Sequence, residues 1–195
     1  MQLVAQFNDP RTLRIMSLAH ALMTSLLEKS SSGYDLARRF DKSIGFFWHA
    51  THQQIYRELG RMEAAGWISS EAAPDGGKTR KRIYEVQAAG REELTRWLQE
   101  PTPPMDTRDE LMVKLRADAV MGPQGLDAEI ERRLDLHQTK LKAYRAIEQR
   151  DFPDSATLSR EARIQHMILK TGIMYEQGWA QWCKEALKML REVPA

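Results

Sequence analysis

The sequence holds a single cysteine, Cys183, in 195 residues. One thiol closes no disulfide within the chain and builds no thiolate cluster for zinc, which excludes a disulfide scaffold and a zinc-stapled module. Its expected place is that of a small buried hydrophobe among helical neighbours. A redox sensor would instead need an exposed, electropositive setting. No run of roughly eighteen apolar residues occurs, and the N-terminus lacks the charged, apolar, small-residue order of an export signal. The expectation is a soluble, unexported, cytoplasmic protein with no membrane partner. Also missing are a glycine-rich phosphate loop, Gly-x-Ser-x-Gly, His-Glu-x-x-His and any Cys pair. His20, His49, His52, His137 and His166 fall on different predicted helices or turns without ligand spacing. No enzyme activity, cofactor or metal is expected.

A strong excess of charge is absent as well. Lys and Arg number 29 against 27 Asp and Glu, a net charge of +2. Divided after Glu100, the chain has 14 basic and 12 acidic residues before the cut and 15 of each after it. A general polyanion binder is therefore excluded, and any nucleic-acid site must be a local patch. What is abundant is apolar content, 42%, enough for one substantial core or two modest ones.

The most informative stretch is residues 51–66. Thr51 and Gln54 have capping-box spacing at its start, and Gly66 suits the left-handed turn that stops a helix. Between them Ile55, Leu59 and Met62 form one apolar stripe, while Gln53, Gln54, Arg57, Gly60 and Arg61 fall on the other side. Amides and guanidiniums can each pair two atoms of a base edge in the major groove, Gln with adenine and Arg with guanine. An ordinary amphipathic helix with a solvated face shows the same pattern, so context decides.

Upstream, Asp9–Pro10 reads as an N-cap and first helical residue, and Ala19, Leu22, Met23, Leu26 and Leu27 keep helical spacing, which predicts a helix over about 10–29. Ser32 and Asp35 repeat the capping-box spacing before Leu36, Ala37 and Phe40, a short helix ending near 41 or 42. Residues 43–50, with Phe46, Phe47, Trp48 and His49, turn the chain into the 51–66 helix; packing is the expected role of these aromatics. Short helix, turn and capped polar helix are the parts of a helix-turn-helix. Downstream, Pro74-Asp75-Gly76-Gly77 sits between residues 67–70 and the alternating run 82–86, a hairpin with a glycine turn. Lys78, Arg80, Lys81 and Arg82 crowd its tip and return strand, which is the layout of a winged helix reaching phosphates or the minor groove. A helix over about 88–99 follows, with Leu94, Trp97 and Leu98 inward.

Pro101, Pro103 and Pro104 interrupt the helical pattern. The expected organisation is a winged helix-turn-helix domain over 1–100 with a two-stranded wing, a Pro-rich linker over 101–106 and an antiparallel, coiled-coil-like dimerisation domain over 107–195, mainly α throughout. Helices are expected from 106 or 107 to about 121, 124 to 150 and 155 to 192. Ile130, Leu134, His137, Leu141 and Tyr144 form a seam in the middle one. Ile168, Gly172, Tyr175, Trp179, Trp182, Ala186 and Met189 form one in the last, from which Ile168, Tyr175, Trp179 and Trp182 are the expected dimer contacts.

In order and spacing, Ser32-Gly33-Tyr34-Asp35-Leu36, Gln54-Ile55-Tyr56-Arg57-Glu58-Leu59, Met62-Glu63, Gly66-Trp67-Ile68, Arg82-Ile83-Tyr84 and Ala89-Gly90 resemble the PadR family of transcriptional regulators. The resemblance spans about residues 18–98. The proline link, Arg108-Asp109-Glu110-Leu111 and the helix with Trp179 and Trp182 look like the longer AphA-like branch with its virulence-activator type C-terminal domain. The resemblance implies a homodimer on a palindromic double-stranded operator, control that is usually repression, and in some members relief by a small aromatic ligand between the domains or at the dimer interface. It implies Thr51, His52, Gln53, Gln54, Tyr56, Arg57 and Arg61 as recognition-helix contacts, Tyr34 as a contact from the preceding helix, and Lys78, Arg80, Lys81 and Arg82 as wing contacts. For Tyr56, a phosphate hydrogen bond and plain packing stay open. Trp97, Tyr175 and Trp179 are the candidate ligand aromatics, although a Trp stripe at heptad spacing is more often dimer core. Against the DNA-binding reading stand a ligand sensor whose readout is DNA release and a protein-interaction adaptor.

Overall fold

Pro10, whose missing N–H is no loss at a helix start, opens α1 (Pro10–Glu28) in the computed structural model. The structure describes residues 10–42, 50–72, 81–102, 108–154 and 157–192, with side chains from Leu18 to Phe40 in the first stretch. The expected N-cap Asp9, the aromatics at 46–49, the glycine turn at 74–77 and the cations Lys78 and Arg80 lie outside the described residues. After α1 come β1 (Ser31–Ser32), α2 (Gly33–Lys42), α3 (His52–Ala64), β2 (Ile68–Ala72), β3 (Arg82–Val86) and α4 (Ala88–Leu98). The remainder is α5 (Glu110–Met121), α6 (Leu126–Asp151) and α7 (Arg160–Glu192). The chain divides into two compact units, Met1–Pro104 and Met105–Ala195. Among the described residues no helix is long and apolar enough to cross a membrane.

The first unit is mainly helical with one small antiparallel sheet in the order β1-β3-β2. β2 and β3 pair from Ile68↔Val86 to Ala72↔Arg82, as the hairpin reading requires. The sheet has a third strand that the two-stranded expectation lacks: Ser31 and Ser32 pair with Tyr84 and Ile83. Two serines carry no strand signal of their own; the open edge of β3 recruits them. The core is built from Leu22, Met23 and Leu26 of α1, Leu36 and Phe40 of α2, Ile55, Leu59 and Met62 of α3, Ile68 and Leu94. Trp97 packs against it, but Leu98 is 74% exposed, contrary to its expected inward place, because it is the last residue of α4. Gly90 lets the first turn of α4 cross the Trp67 carbonyl: a Cβ there would stand 2.3 Å from that oxygen.

In the second unit α5 begins at Glu110, capped by Asp109, whose carboxylate accepts from Leu111 N at 2.9 Å. That start is three or four residues later than expected. α7 likewise starts at Arg160, where Ser159 Oγ accepts from Ala162 N at 3.2 Å, and not near 155. The pairs His137–Glu176, Tyr144 over Gly172, and His166–Glu148 show that α6 and α7 run antiparallel. Leu111, Ile130, Cys183, Ala186 and Leu187 make the core, with Trp179 and Trp182 packed on it. Cys183 is fully buried and its thiol is pushed up by burial, as a small hydrophobe requires.

The expected seam of α7 coincides with the buried side only in part: Ala186 is buried, Trp179 and Trp182 pack on the core and Gly172 lies under the Tyr144 ring. The buried residues of α7 are His166, Glu176, Ala180, Cys183, Ala186 and Leu187, whereas Ile168 at 44%, Tyr175 at 45% and Met189 at 54% are exposed. They include a histidine and a glutamate, which a hydrophobic pattern passes over. Both are buried because α6 supplies Glu148 to His166 at 2.7 Å and His137 to Glu176 at 2.5 Å.

Candidate nucleic-acid interface

α3 is terminated at both ends by its own sequence. Thr51 is extended at φ −75°, ψ 154°; its hydroxyl accepts from Gln54 N at 3.2 Å, and Gln54 Oε1 accepts from Thr51 N at 2.8 Å. This reciprocal cap is worth about 0.5–2 kcal/mol. At the other end Gly66 takes φ 72°, and Trp67 N and Gly66 N reach back to Met62 O and Glu63 O at 2.9 and 3.0 Å. Ile55, Leu59 and Met62 are at most 1% exposed, each stabilising by about 1.5–3 kcal/mol on burial. With that stripe anchored, Gln53, Arg57 and Gly60 face solvent.

The other expected contacts on α3 are also exposed, but several have work inside the protein. Gln54 Oε1 accepts from Thr51 N in the cap, which fixes the side chain along the helix start. Arg61 Nη1 lies 3.1 Å from Glu58, which is 6% exposed, so Arg61 serves as counter-ion to a buried carboxylate. His52 is exposed beside the cap. Tyr56, 48% exposed, lies against the start of α2: a Cβ at Gly33 would stand 2.6 Å from its Cε1. Tyr34 is 57% exposed, with the Arg38 guanidinium 5.7 Å from its ring centre. Arg57 makes no ion pair with another described residue.

At the base of the wing both described cations are paired. Lys81 Nζ lies 2.9 Å from Asp35 Oδ2, and Arg82 Nη2 lies 3.1 Å from Glu63 Oε1. Ser70 Oγ donates to the same Glu63 oxygen at 2.5 Å, and Arg82 donates to Ser70 O at 3.1 Å. Lys81, and after it the Ser32 hydroxyl, hold the Asp35 carboxyl below its usual range. The hairpin is thereby tied to α2 through Asp35 and to α3 through Glu63. Sequence reading gave Asp35 only as a helix-start partner of Ser32 and gave Glu63 no partner, since a carboxylate on a polar face carries no signal of the cation it will meet.

Two further residues position this unit without a sequence signal. Arg39 donates to Ser25 O at 2.5 Å, Lys29 O at 2.8 Å and Ser31 Oγ at 2.8 Å, closing the end of α1 onto β1. His20, fully buried, reaches Glu93 at 3.0 Å and stacks on Trp97 with centroids 4.5 Å apart. One face of Trp97, expected as a ligand aromatic, is therefore covered within the first unit.

In the second unit Trp179 stacks on His137 at 5.4 Å and meets Trp182 edge-on at 5.3 Å, and Tyr175 lies 6.5 Å from Trp179. Of the expected dimer contacts, Ile168 and Tyr175 are exposed, and Trp179 and Trp182 are half-buried. Among the described residues no group of three His, Cys, Asp or Glu could hold a metal.

A helix pair crossing at Gly33, its second helix capped at both ends with a polar outer face, and a hairpin braced against both helices define a winged helix-turn-helix protein, here followed by a helical second unit. The chain belongs to the PadR-like family of transcriptional regulators. Residues 22–96 match the transcriptional regulator PadR-like family, and residues 107–191 match the virulence activator alpha C-terminal family. The chain is 39% identical over 188 residues, 91% of its length and 99% of the relative's, to a Mycobacterium tuberculosis protein named "Probable transcriptional regulator Rv1176c". The structure of the Vibrio cholerae virulence activator AphA superposes with a TM-score of 0.76 at 30% identity, over 89% of this chain and 98% of that one. Bacillus subtilis PadR, a negative transcriptional regulator, has been solved with operator DNA, and that structure superposes with a TM-score of 0.77 at 26% identity over 89% and 98% of the two chains. A second PadR structure, with p-coumaric acid, gives 0.74 at 26% over 90% and 99%.

Proposed function

We propose that this chain is a cytoplasmic, homodimeric repressor that binds a palindromic double-stranded operator. Residues 1–100 read the DNA and residues 107–195 pair the protomers across the linker at 101–106. α3 enters the major groove with Gln53 and Arg57 toward base edges, and Tyr34, Tyr56, Lys78, Arg80 and Lys81 meet the backbone or the adjoining minor groove. The carrying observation is that α3 is anchored by Ile55, Leu59 and Met62 while Arg57 and Gln53 stand exposed, without an ion pair to another described residue. PadR with operator DNA supports the reading. Repression follows PadR, a negative regulator, while AphA is an activator, so the two relatives differ in direction. The test is a fluorescence-anisotropy titration of the full chain on its own upstream region. Specific binding at least about a thousandfold tighter than to scrambled duplex is expected; equal affinity for both would overturn it.

A second reading, supported by the aromatic set His137, Tyr175, Trp179 and Trp182 and by the p-coumaric acid complex of PadR, makes DNA release the output of a small planar aromatic effector. Saturable quenching of tryptophan fluorescence by p-coumaric acid, together with weakened DNA binding, is its expected signature. Quenching without a change in DNA affinity would remove it.

A further inference from the structure

Lys81 and Arg82 are sequence neighbours held by carboxylates on different helices, and the two arrangements are unequal. Arg82 belongs to a closed network: it donates to Glu63 and to Ser70 O, and Ser70 Oγ donates to the same Glu63 oxygen. Among the described residues Lys81 has one ion-pair partner, Asp35, and the two side chains are 47% and 48% exposed. Asp35 in turn is fixed, because Ser32 Oγ donates to its Oδ2 at 2.7 Å and accepts from its backbone N at 3.2 Å. So the carboxylate is anchored and the ammonium, on a four-carbon stem, is the partner able to leave.

We propose that Asp35 is a positioning residue that tempers DNA affinity through Lys81, competing with a backbone phosphate for the lysine, so that a duplex reached by Lys81 must displace the carboxylate. This rests on the DNA-binding reading above. The exchange involves a phosphate and no base edge, so selected and scrambled duplexes meet the same cost. An exposed pair of this kind is weak enough to exchange and is worth at most about fivefold in affinity. Arg82, in its closed network, stays as the brace between wing and α3.

The experiment measures affinities of the full chain and its variants for two duplexes, one selected by the protein from random sequence and one scrambled. Asp35→Asn keeps the Ser32 bond and removes the charge. It is expected to tighten both duplexes about three- to fivefold and to leave the specificity ratio unchanged. In a Lys81→Ala background the same change is expected to have no effect. An equal gain with and without Lys81 would mean simple removal of a negative charge near DNA, and no gain would mean an idle pair; either overturns the inference alone. A wild-type chain that binds neither duplex overturns the DNA-binding reading with it. Thermal melting of each variant separates these outcomes from misfolding, which the exposure of both positions makes unexpected.

Discussion

Gly33 and Tyr56 mark the crossing of α2 and α3, and a Cβ at position 33 would stand 2.6 Å from Tyr56 Cε1. The ring is half-exposed, so Gly33→Ala can push it outward. A melting shift within about 1 kcal/mol is expected, with a loss of DNA affinity of about one hydrogen bond, roughly 1 kcal/mol. Gly90 contrasts with it. There the clashing atom is the Trp67 carbonyl oxygen at 2.3 Å, a backbone atom that cannot step aside. Gly90→Ala should cost about 1–3 kcal/mol and lower the melting midpoint of the first unit by several degrees, read by calorimetry.

Gln54 and Arg57 share a helix face but not a role. Gln54→Ala removes half of the reciprocal cap and should lower stability by about 1 kcal/mol in denaturant titrations. Arg57→Ala should leave stability unchanged and remove about 1–3 kcal/mol of discrimination at one base pair per half-site. A stability loss in the second variant without a change in sequence preference would reverse the assignment.

If each protomer neutralises two or three phosphates with its wing and one or two with its helix face, log affinity against log salt should fall with a slope of about −5 to −9 for the dimer. Salt titration of the anisotropy signal gives the slope. A value near zero would remove DNA as the partner.

Ile168 and Tyr175 are exposed on α7 beside a satisfied internal seam. Ile168→Asp combined with Tyr175→Arg should leave helical content unchanged and convert a dimer to monomer in sedimentation velocity. Ile130→Asp, at a fully buried position, should unfold the second unit instead, at a cost of about 3 kcal/mol or more. A double variant that stays dimeric would place the interface elsewhere.

Asp109 links α5 to α6 through Arg133 Nη1 at 2.6 Å, and that guanidinium, with the Leu111 N–H after it, holds the Asp109 carboxyl below its usual range. A depressed carboxylate contributes stability that is complete above the usual range and drains away as pH falls through the lowered value. Asparagine caps a helix as well as aspartate does, so Asp109→Asn isolates the ion pair. The variant should be less stable by about 1–2 kcal/mol at pH 7, and the gap to wild type should close in acid. A constant gap down to strongly acid pH would contradict the pairing.

Local interactions are what could be read in the amino-acid order. Thr51 with Gln54, Gly66 after the last turn, and Ile55, Leu59 and Met62 on one face involve residues at most a few positions apart, so spacing alone specifies a terminated, one-sided helix. The hairpin was legible from the alternation of 82–86 and the glycine turn before it, although its first arm was placed at 67–70 and runs over 68–72. Tertiary structure decided what depends on a partner distant in the chain. Ser31 and Ser32 become a strand because β3 offers an edge, and Lys81 and Arg82 are held because Asp35 and Glu63 happen to face them. Along α7 the inward place of Cys183 and Ala186 was legible, but that of His166 and Glu176 was not. His166 and Glu176 count against burial until Glu148 and His137 are brought from another helix to satisfy them, and only the folded chain supplies those partners.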